Sequence, residues 1–320
     1  MTYPGRNTVL TAFVLVSAVL VILIVAQSFK GSGISYRSGM QISDTVYNIK
    51  SFRLPEDVSF AGETMPLDNF DTRESLEREI LTSAYRHSST ILIIMRANRY
   101  FPVIEEILKK NSIPEDFKYL VAAESEYTNM ISPVGATGFW QIMAETGREE
   151  GMEINSIVDE RYDVEKSTQF ACDYFRKSYE KYGSWTLTAA SYNGGRGRID
   201  EQLKVQNQNN YYDLMFNDET ARYIFRAVAY KLVISDPERY GFNIKKEDLY
   251  PPIKYIEVKV DSSIADFSNF AEKFGTNYKM LKLLNPWLRK SFLTPKSGKE
   301  YLIKIPARGV RNTENTEAVN

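Results

Sequence analysis

Between residues 117 and 143 the chain reads FKYLVAAESEYTNMISPVGATGFWQIM, an apolar run carrying Glu124, then a loop with two glycines, then an aromatic segment. Phe117, Leu120, Val121 and Glu124 recur at three- and four-residue spacing, so a helix through them puts the carboxyl group on the face of the apolar side chains. A carboxyl group held on an inward face loses water. Desolvation disfavours its charged form, so Glu124 is expected to be protonated near neutral pH and able to act as a general acid. A glutamate that merely ends a helix at the surface fits the same spacing, because a perturbed carboxylate marks a site only statistically. Glu126 falls on another face and is expected to be solvated.

The elements that must position Glu124 can be read outward from it. Pro114 suits a first helical position, with Glu115 and Asp116 complementing the positive end of the helix dipole. Beyond the helix, Gly135 and Gly138 permit close backbone approach, so the loop can pass tightly beside a bound ligand such as an extended polymer. A helical period runs from Thr72 through Leu76, Ile80, Leu81, Ala84 and Tyr85 to residues 91–95, and residues 101–110 read as a second short helix. Residues 164–182 form a helix with Phe170, Tyr174, Phe175 and Tyr179 inward and Gly183 as its stop; residues 185–192 form another. A third begins near Asp218, a candidate cap, and carries Tyr223, Phe225, Val228, Ala229 and Leu232.

The motifs on these elements resemble, in order, those of the lytic transglycosylases of the soluble-lytic-transglycosylase type, within the lysozyme-like superfamily. They are Glu124-Ser125, then Ser132-Pro133-Val134-Gly135-Ala136-Thr137-Gly138, then Trp140-Gln141-Ile142-Met143. Ala190-Ser191-Tyr192-Asn193-Gly194-Gly195 is similar to the family's Ala-Tyr-Asn-Ala-Gly, with Ser191 inserted and Gly194 where alanine is common. Glu219-Thr220-Ala221-Arg222-Tyr223 is similar to its Glu-Thr-x-x-Tyr. The resemblance extends over residues 50 to 242.

The resemblance implies cleavage of the β-1,4 bond between N-acetylmuramic acid and N-acetylglucosamine in peptidoglycan without added water, leaving 1,6-anhydromuramic acid ends. Glu124 would be the single general acid and base, unlike the usual two-carboxylate glycosidase. It implies that Ser132, Gln141 and Asn193 hold N-acetyl groups and hydroxyls, that Met143 lines a sugar subsite, and that Tyr192 and Tyr223 orient Glu124 or the substrate. It implies no cofactor and no metal. Two other readings stay open: a hydrolytic muramidase, needing a second carboxylate such as Glu145, Asp159 or Asp163, and a non-catalytic peptidoglycan-binding protein.

Composition is compatible with these readings. The net charge of −1 gives no electrostatic reason to expect nucleic acid. Cys172 is the one cysteine, excluding an intrachain disulfide; with Phe175 and Tyr179 at helical spacing it reads as a core thiol. His87 is the one histidine and reads as structural, leaving no His or Cys cluster with ligand spacing.

The fold class expected is α+β, a mainly α lysozyme-like catalytic domain followed by a small β-α-α-β domain. Residues 1–28 hold an uncharged apolar stretch, 8–26, long enough to span a bilayer, read as an uncleaved anchor or a cleaved signal. Peptidoglycan strands and, through this stretch, a membrane are the expected partners, with the chain facing the periplasm of a bacterial envelope. Residues 29–70 read as a tether and irregular docking segment, 71–250 as the catalytic domain and 251–308 as the second domain. In the last, Tyr255, Glu257 and Lys259 alternate with Ile256, Val258 and Val260, and residues 301–306 form a closing strand. This order resembles a LysM repeat, which implies glycan binding. Val260-Asp261-Ser262-Ser263-Ile264 stands where the repeat usually has Gly-Asp-Ser-Leu, so a purely structural module is the alternative. Residues 309–320 are polar and read as a disordered tail.

Overall fold

The computed structural model describes residues 50–296 and 298–311. The expected anchor at 8–26, residues 29–49 of the tether and residues 312–320 of the tail lie outside the described residues. Among the described residues, no helix is long and apolar enough to cross a membrane.

The glutamate helix, α3 (Lys118–Ser125), follows a 3-10 turn at Glu115–Phe117, and residues 117–122 are all buried. Such all-round burial suits a central helix. Its one lysine is accommodated by pairing, because Lys118 Nζ lies 2.6 Å from Glu105, bonds to Glu115, and sits over the Phe101 and Tyr119 rings. Around α3 stand α1 (Phe70–Tyr85), α2 (His87–Lys110), α5 (Val164–Tyr182), α6 (Trp185–Gly194), α7 (Arg196–Gln206) and α8 (Asp218–Ser235), with α4 (Ala144–Glu149) after the glycine loop. Helix α1 packs on α8, and α3 packs against α2 and α8.

Several boundaries differ from the sequence reading. The period through 72–95 breaks at Arg86 (ψ 53), and residues 91–110 belong to one helix, α2, that continues through Pro102. Pro102 is exposed, while Ile93, Ile94, Ala97, Ile104 and Leu108 bury both halves of α2; that packing offsets the one backbone bond proline removes. Helix α5 has the expected limits, capped by Asp163 and ended by Gly183 at φ 63, but Tyr179 is 36% exposed and stacks on Trp185 rather than pointing inward. Asn217, not Asp218, caps α8, its side chain accepting from Thr220 N at 3.3 Å. Cys172 is buried, and burial pushes its thiol up to about 12, as suits a core thiol. His87 lies edge-on to Tyr85.

From residue 50 onward the segment read as tether and docking is part of the core. Strands β1 (Ser59–Phe60) and β2 (Glu63–Thr64) make a small antiparallel hairpin, and Val58, Phe60, Met65 and Leu67 are buried. Its Glu63 caps a distant helix. The carboxylate accepts from Thr186 N (2.9 Å), Thr186 Oγ1 (2.7 Å), Ser184 Oγ (3.1 Å) and Trp185 N at the start of α6.

Residues 255–306 fold as β3 (Tyr255–Val260), α9 (Phe267–Glu272), α10 (Tyr278–Leu284) and β4 (Tyr301–Pro306), with β3 and β4 antiparallel from Tyr255↔Pro306 to Val260↔Tyr301. Asn285 is fully buried and ties this unit together, donating to Leu281 O and Lys304 O and accepting from Lys304 N. Val158 and Tyr162 of the helical body share its apolar core. The backbone joins them too, through Asp159 N to Trp287 O (2.9 Å) and Arg289 N to Ile157 O (2.7 Å).

Replacing Glu63 by alanine removes a charged cap and leaves N–H groups at the start of α6 without it. The expected loss is about 1–3 kcal/mol of unfolding free energy, read from a urea melt. An unchanged midpoint would mean that the hairpin does not stabilise α6.

Candidate active site

Glu124 occupies the last turn of α3, after which Glu126 (φ 53) and Tyr127 (φ 55) both take left-handed backbone. Each such non-glycine residue costs about 1–2 kcal/mol. The reversal is held by Arg86, which donates to Glu126 Oε1 at 2.7 Å, and by Arg96, which donates to Glu126 O at 3.2 Å. Tyr127 OH donates back to Lys118 O at 3.1 Å. The reversal corrects the sequence reading of Glu126: the chain no longer advances by helical rotation, so this carboxylate is ion-paired and lines the same cavity as Glu124.

Glu124 is half-buried, and Tyr223 OH donates to its Oε1 at 2.5 Å. Burial pushes the carboxyl up to about 7 against the pull of the Tyr223 hydrogen bond; the nearby Glu219 charge adds to the rise and Arg226 opposes it. Glu124 is therefore poised between acid and base near neutral pH. Burial also holds the Tyr192 and Tyr223 phenols well above their ordinary range, so both act as neutral donors. A cavity of about 310 Å³ opens beside Glu124, with Ala122, Ala123 and Met130 in its wall. A larger groove of about 450 Å³ between Tyr100, Tyr162 and Tyr255 does not include Glu124.

The glycine loop is built against α3. Ser125 Oγ donates to Phe139 O (2.8 Å), Thr137 bridges both Ile131 and Ile142, and buried Trp140 donates to Thr168 Oγ1 at 2.8 Å. Arg161, neutralised by Asp159 at 2.8 Å, donates to Gly135 O (3.2 Å) and Ile142 O (3.1 Å). The role of Gly138 differs from the sequence reading. At φ 85, a Cβ there would lie 2.0 Å from Arg161 O, so the close approach is to protein backbone rather than to a ligand. Gly135, at φ 87, faces open space.

Of the other sequence-predicted residues, Tyr223 alone bonds to Glu124. Tyr192 OH donates to Trp140 O at 2.7 Å, tying α6 to the loop. Asn193 accepts from Thr220 Oγ1 (2.9 Å) and donates to Glu219 (3.3 Å). Ser132 Oγ accepts from Ala136 N at 3.0 Å. Gln141 (φ 49) donates through Nε2 to Gly138 O (2.8 Å) and Met130 O (3.2 Å), while its Oε1 takes no hydrogen bond from the described residues. Met143 is 43% exposed. Among the downstream carboxylates, Glu145 is exposed, Asp159 is committed to Arg161, and Asp163 caps α5.

Sequence reasoning missed Glu79, Arg222 and Arg226. Glu79, 1% exposed, lies between Leu76 and Ile80 on the inward face of α1 and accepts from Arg222 Nε at 2.7 Å. The signal was present: Glu219, Arg222, Tyr223, Arg226 and Tyr230 recur at three- and four-residue spacing, a single polar face of α8. Among the described residues, no group of three or more His, Cys, Asp or Glu side chains is placed to hold a metal ion.

Comparison with known proteins finds two domain matches and homologous relatives. Residues 101–215 match the transglycosylase SLT domain, and residues 256–309 match the soluble lytic transglycosylase C-terminal LysM-like domain. The chain is homologous to the membrane-bound lytic murein transglycosylase D of Escherichia coli strain K12, at 26% identity over 254 residues, covering 77% of this chain and 54% of the relative. The same protein of E. coli O6:H1 strain CFT073 matches equally. The chain thus spans about half the length of the curated relatives it matches. Among solved structures, an inactive mutant of the lytic transglycosylase Slt of Pseudomonas aeruginosa is 20% identical at a TM-score of 0.36, covering 47% of this chain and 26% of that one. The 70 kDa soluble lytic transglycosylase of E. coli is 17% identical at a TM-score of 0.38, covering 57% and 31%.

Two substitutions test this geometry. Gly138→Ala is expected to cost about 2–4 kcal/mol in a urea melt, from overpacking against Arg161 and left-handed strain together; a loss below about 1 kcal/mol would contradict the close approach. Tyr223→Phe removes a donor that favours the ionised acid, so the Glu124 carboxyl is expected to titrate about one unit higher by NMR. Movement downward, or none, would mean that the phenol does not bond to the carboxylate.

Proposed function

We propose that this chain is a peptidoglycan lytic transglycosylase in which Glu124 serves in turn as acid and base. The observation that carries the reading is one half-buried carboxyl, held by a neutral phenol and poised near pH 7, beside an open cavity. Protonated Glu124 gives its proton to the oxygen joining N-acetylmuramic acid to N-acetylglucosamine, and the bond from C1 to that oxygen breaks. The carboxylate then takes the proton of the muramic acid 6-hydroxyl, whose oxygen closes on C1 to form the 1,6-anhydro ring. Glu124 ends as it began, protonated, and no water is consumed. Tyr223 serves the middle of this cycle, since its hydrogen bond favours the charged carboxylate.

Gln141 Oε1, Ser132 and Asn193 meet the sugar substituents, Met143 lines a subsite, and Tyr192 fixes the loop that carries Gln141. Hydrolysis is less well supported, because Asp159 and Asp163 are committed to other partners. In this reading residues 71–250 form the catalytic domain and 251–308 a LysM-like module. The apolar stretch 8–26 anchors the chain in the bacterial envelope facing the periplasm, in keeping with the name of the membrane-bound relatives.

The test is digestion of purified peptidoglycan followed by mass analysis of the fragments. Anhydro ends are expected; reducing ends one water heavier would make the chain a muramidase, and no release would make it a binding protein. Glu124→Gln is expected to lower the rate by about 10²–10⁴-fold. The rate should fall as pH rises through about 7, because the first step needs the protonated acid; a rate flat across that range would remove Glu124 as the proton donor.

A further inference from the structure

The cavity beside Glu124 carries more charge than acid and base chemistry requires. Three guanidinium groups line it, from Arg86, Arg222 and Arg226, against the carboxylates of Glu79 and Glu126. With Glu124 protonated, the lining groups alone carry one more positive than negative charge; just outside the lining, Arg78 also reaches Glu79 at 3.3 Å, Asp218 lies 3.9 Å from Arg222, and Glu219 acts on Glu124. The hydrogen bonds show which guanidinium is least used. Arg86 is bound to Glu126 at 2.7 Å, and Arg222 is bound to Glu79 at 2.7 Å. Arg226 shares Glu79 with Arg222 and Arg78 as an ion pair 3.7 Å from Oε2, beyond hydrogen-bond reach, and makes no hydrogen bond to the described residues.

Arg226 is nevertheless sheltered, its side chain only 29% exposed. It sits one turn beyond Tyr223 on α8, on the face that holds Glu124. A planar fork of N–H donors, partly removed from water and unspent, suits a carboxylate that can accept two of them. The volume of about 310 Å³ admits a substituent larger than the carboxylate alone.

We propose that this cavity is a subsite for an anionic acyl or peptidyl substituent of the glycan, and that Arg226 is the residue that grips its carboxylate. The inference rests on the reading of the chain as a peptidoglycan enzyme and names the part of the substrate taken beside the acid. It has a consequence for the reaction. The groups facing Glu124 are Tyr223, Glu219 and Arg226 from α8 and Tyr192 from α6, with Glu79, Arg86, Glu126, Arg222 and Tyr230 around the cavity. Among them Arg226 pulls the Glu124 carboxyl towards its charged form, and a carboxylate bound on Arg226 cancels that pull. Substrate carrying the anion therefore keeps the acid protonated.

The test is calorimetric binding of an N-acetylmuramyl dipeptide with a free terminal carboxylate, compared with its terminal amide, to the full chain in detergent micelles. The acid is expected to bind about tenfold more tightly than the amide. Arg226→Gln should abolish that difference, and Arg226→Lys, which keeps the charge but loses the fork, should retain part of it. Equal binding of acid and amide by the wild-type chain would overturn the proposal without any variant, as would an Arg226→Gln chain that still prefers the acid. The readout needs no turnover. A chain that releases anhydro ends but shows no preference for the acid loses the subsite alone, whereas one that prefers the acid yet cleaves nothing loses the catalytic reading alone.

Discussion

The hydrogen bond from Tyr223 to Glu124 is the contact on which the site depends, because it joins two opposed demands on one carboxyl group. Burial at the end of α3 raises the proton affinity of Glu124, which an acid needs, but burial alone would leave the carboxylate too costly to form. The phenol offsets part of that cost when the proton has left. Tyr223 stays a neutral donor because it too is buried. The surrounding helices position these two groups. Helix α3 is enclosed by apolar packing, α8 lies against it, and the left-handed reversal at Glu126 and Tyr127 stops α3 where the carboxyl group reaches the cavity.

Much of this is legible in the sequence where the signal is local. Burial of Phe117, Leu120 and Val121 follows from spacing, although Lys118, Tyr119 and Ala122 are buried as well, and α5 has the limits that Gly183 and the apolar period define. The β-α-α-β order of residues 255–306 likewise follows from a change of period and is present in the structure. What the sequence conceals depends on residues far apart in it. Glu79 and Arg222 are 143 positions apart, and although the adjacent Arg78 also reaches Glu79 at 3.3 Å, nothing near Glu79 indicates that its inward carboxylate meets Arg222. The turn that sends Glu126 back into the cavity is held by Arg86, between α1 and α2, and by Arg96 of α2. Pro102 misleads for a related reason. The local penalty of a proline in a helix is real, yet burial on both sides of it keeps α2 continuous.

The glycine loop illustrates how a motif can be recognised while its cause is misread. A glycine at 138 suggests room for a ligand, but the space is filled by Arg161 O. Arg161 in turn holds the loop through Gly135 O and Ile142 O, and the segment that contains it is bonded to residues 287–289. Glu153 adds to this join, meeting Lys299 at 2.6 Å and Tyr301 at 2.8 Å. The LysM-like unit thus supports the same stretch that fixes the wall of the site, a mechanical connection independent of any sugar it binds.

A single titrating carboxyl also limits what the rest of the cavity can contain. Glutamate poised near pH 7 responds to every charge placed near it, and each full charge shifts the balance between acid and base. Two of the three guanidinium groups in the cavity are neutralised by Glu79 and Glu126, which keeps their field from forcing Glu124 into its ionised form. In the proposed one-acid mechanism these carboxylates therefore have a part beside Glu124. Arg226, paired with Glu79 only at 3.7 Å, keeps its hydrogen-bond donors unused, and under the proposed subsite an anionic group arriving with the substrate would take them up.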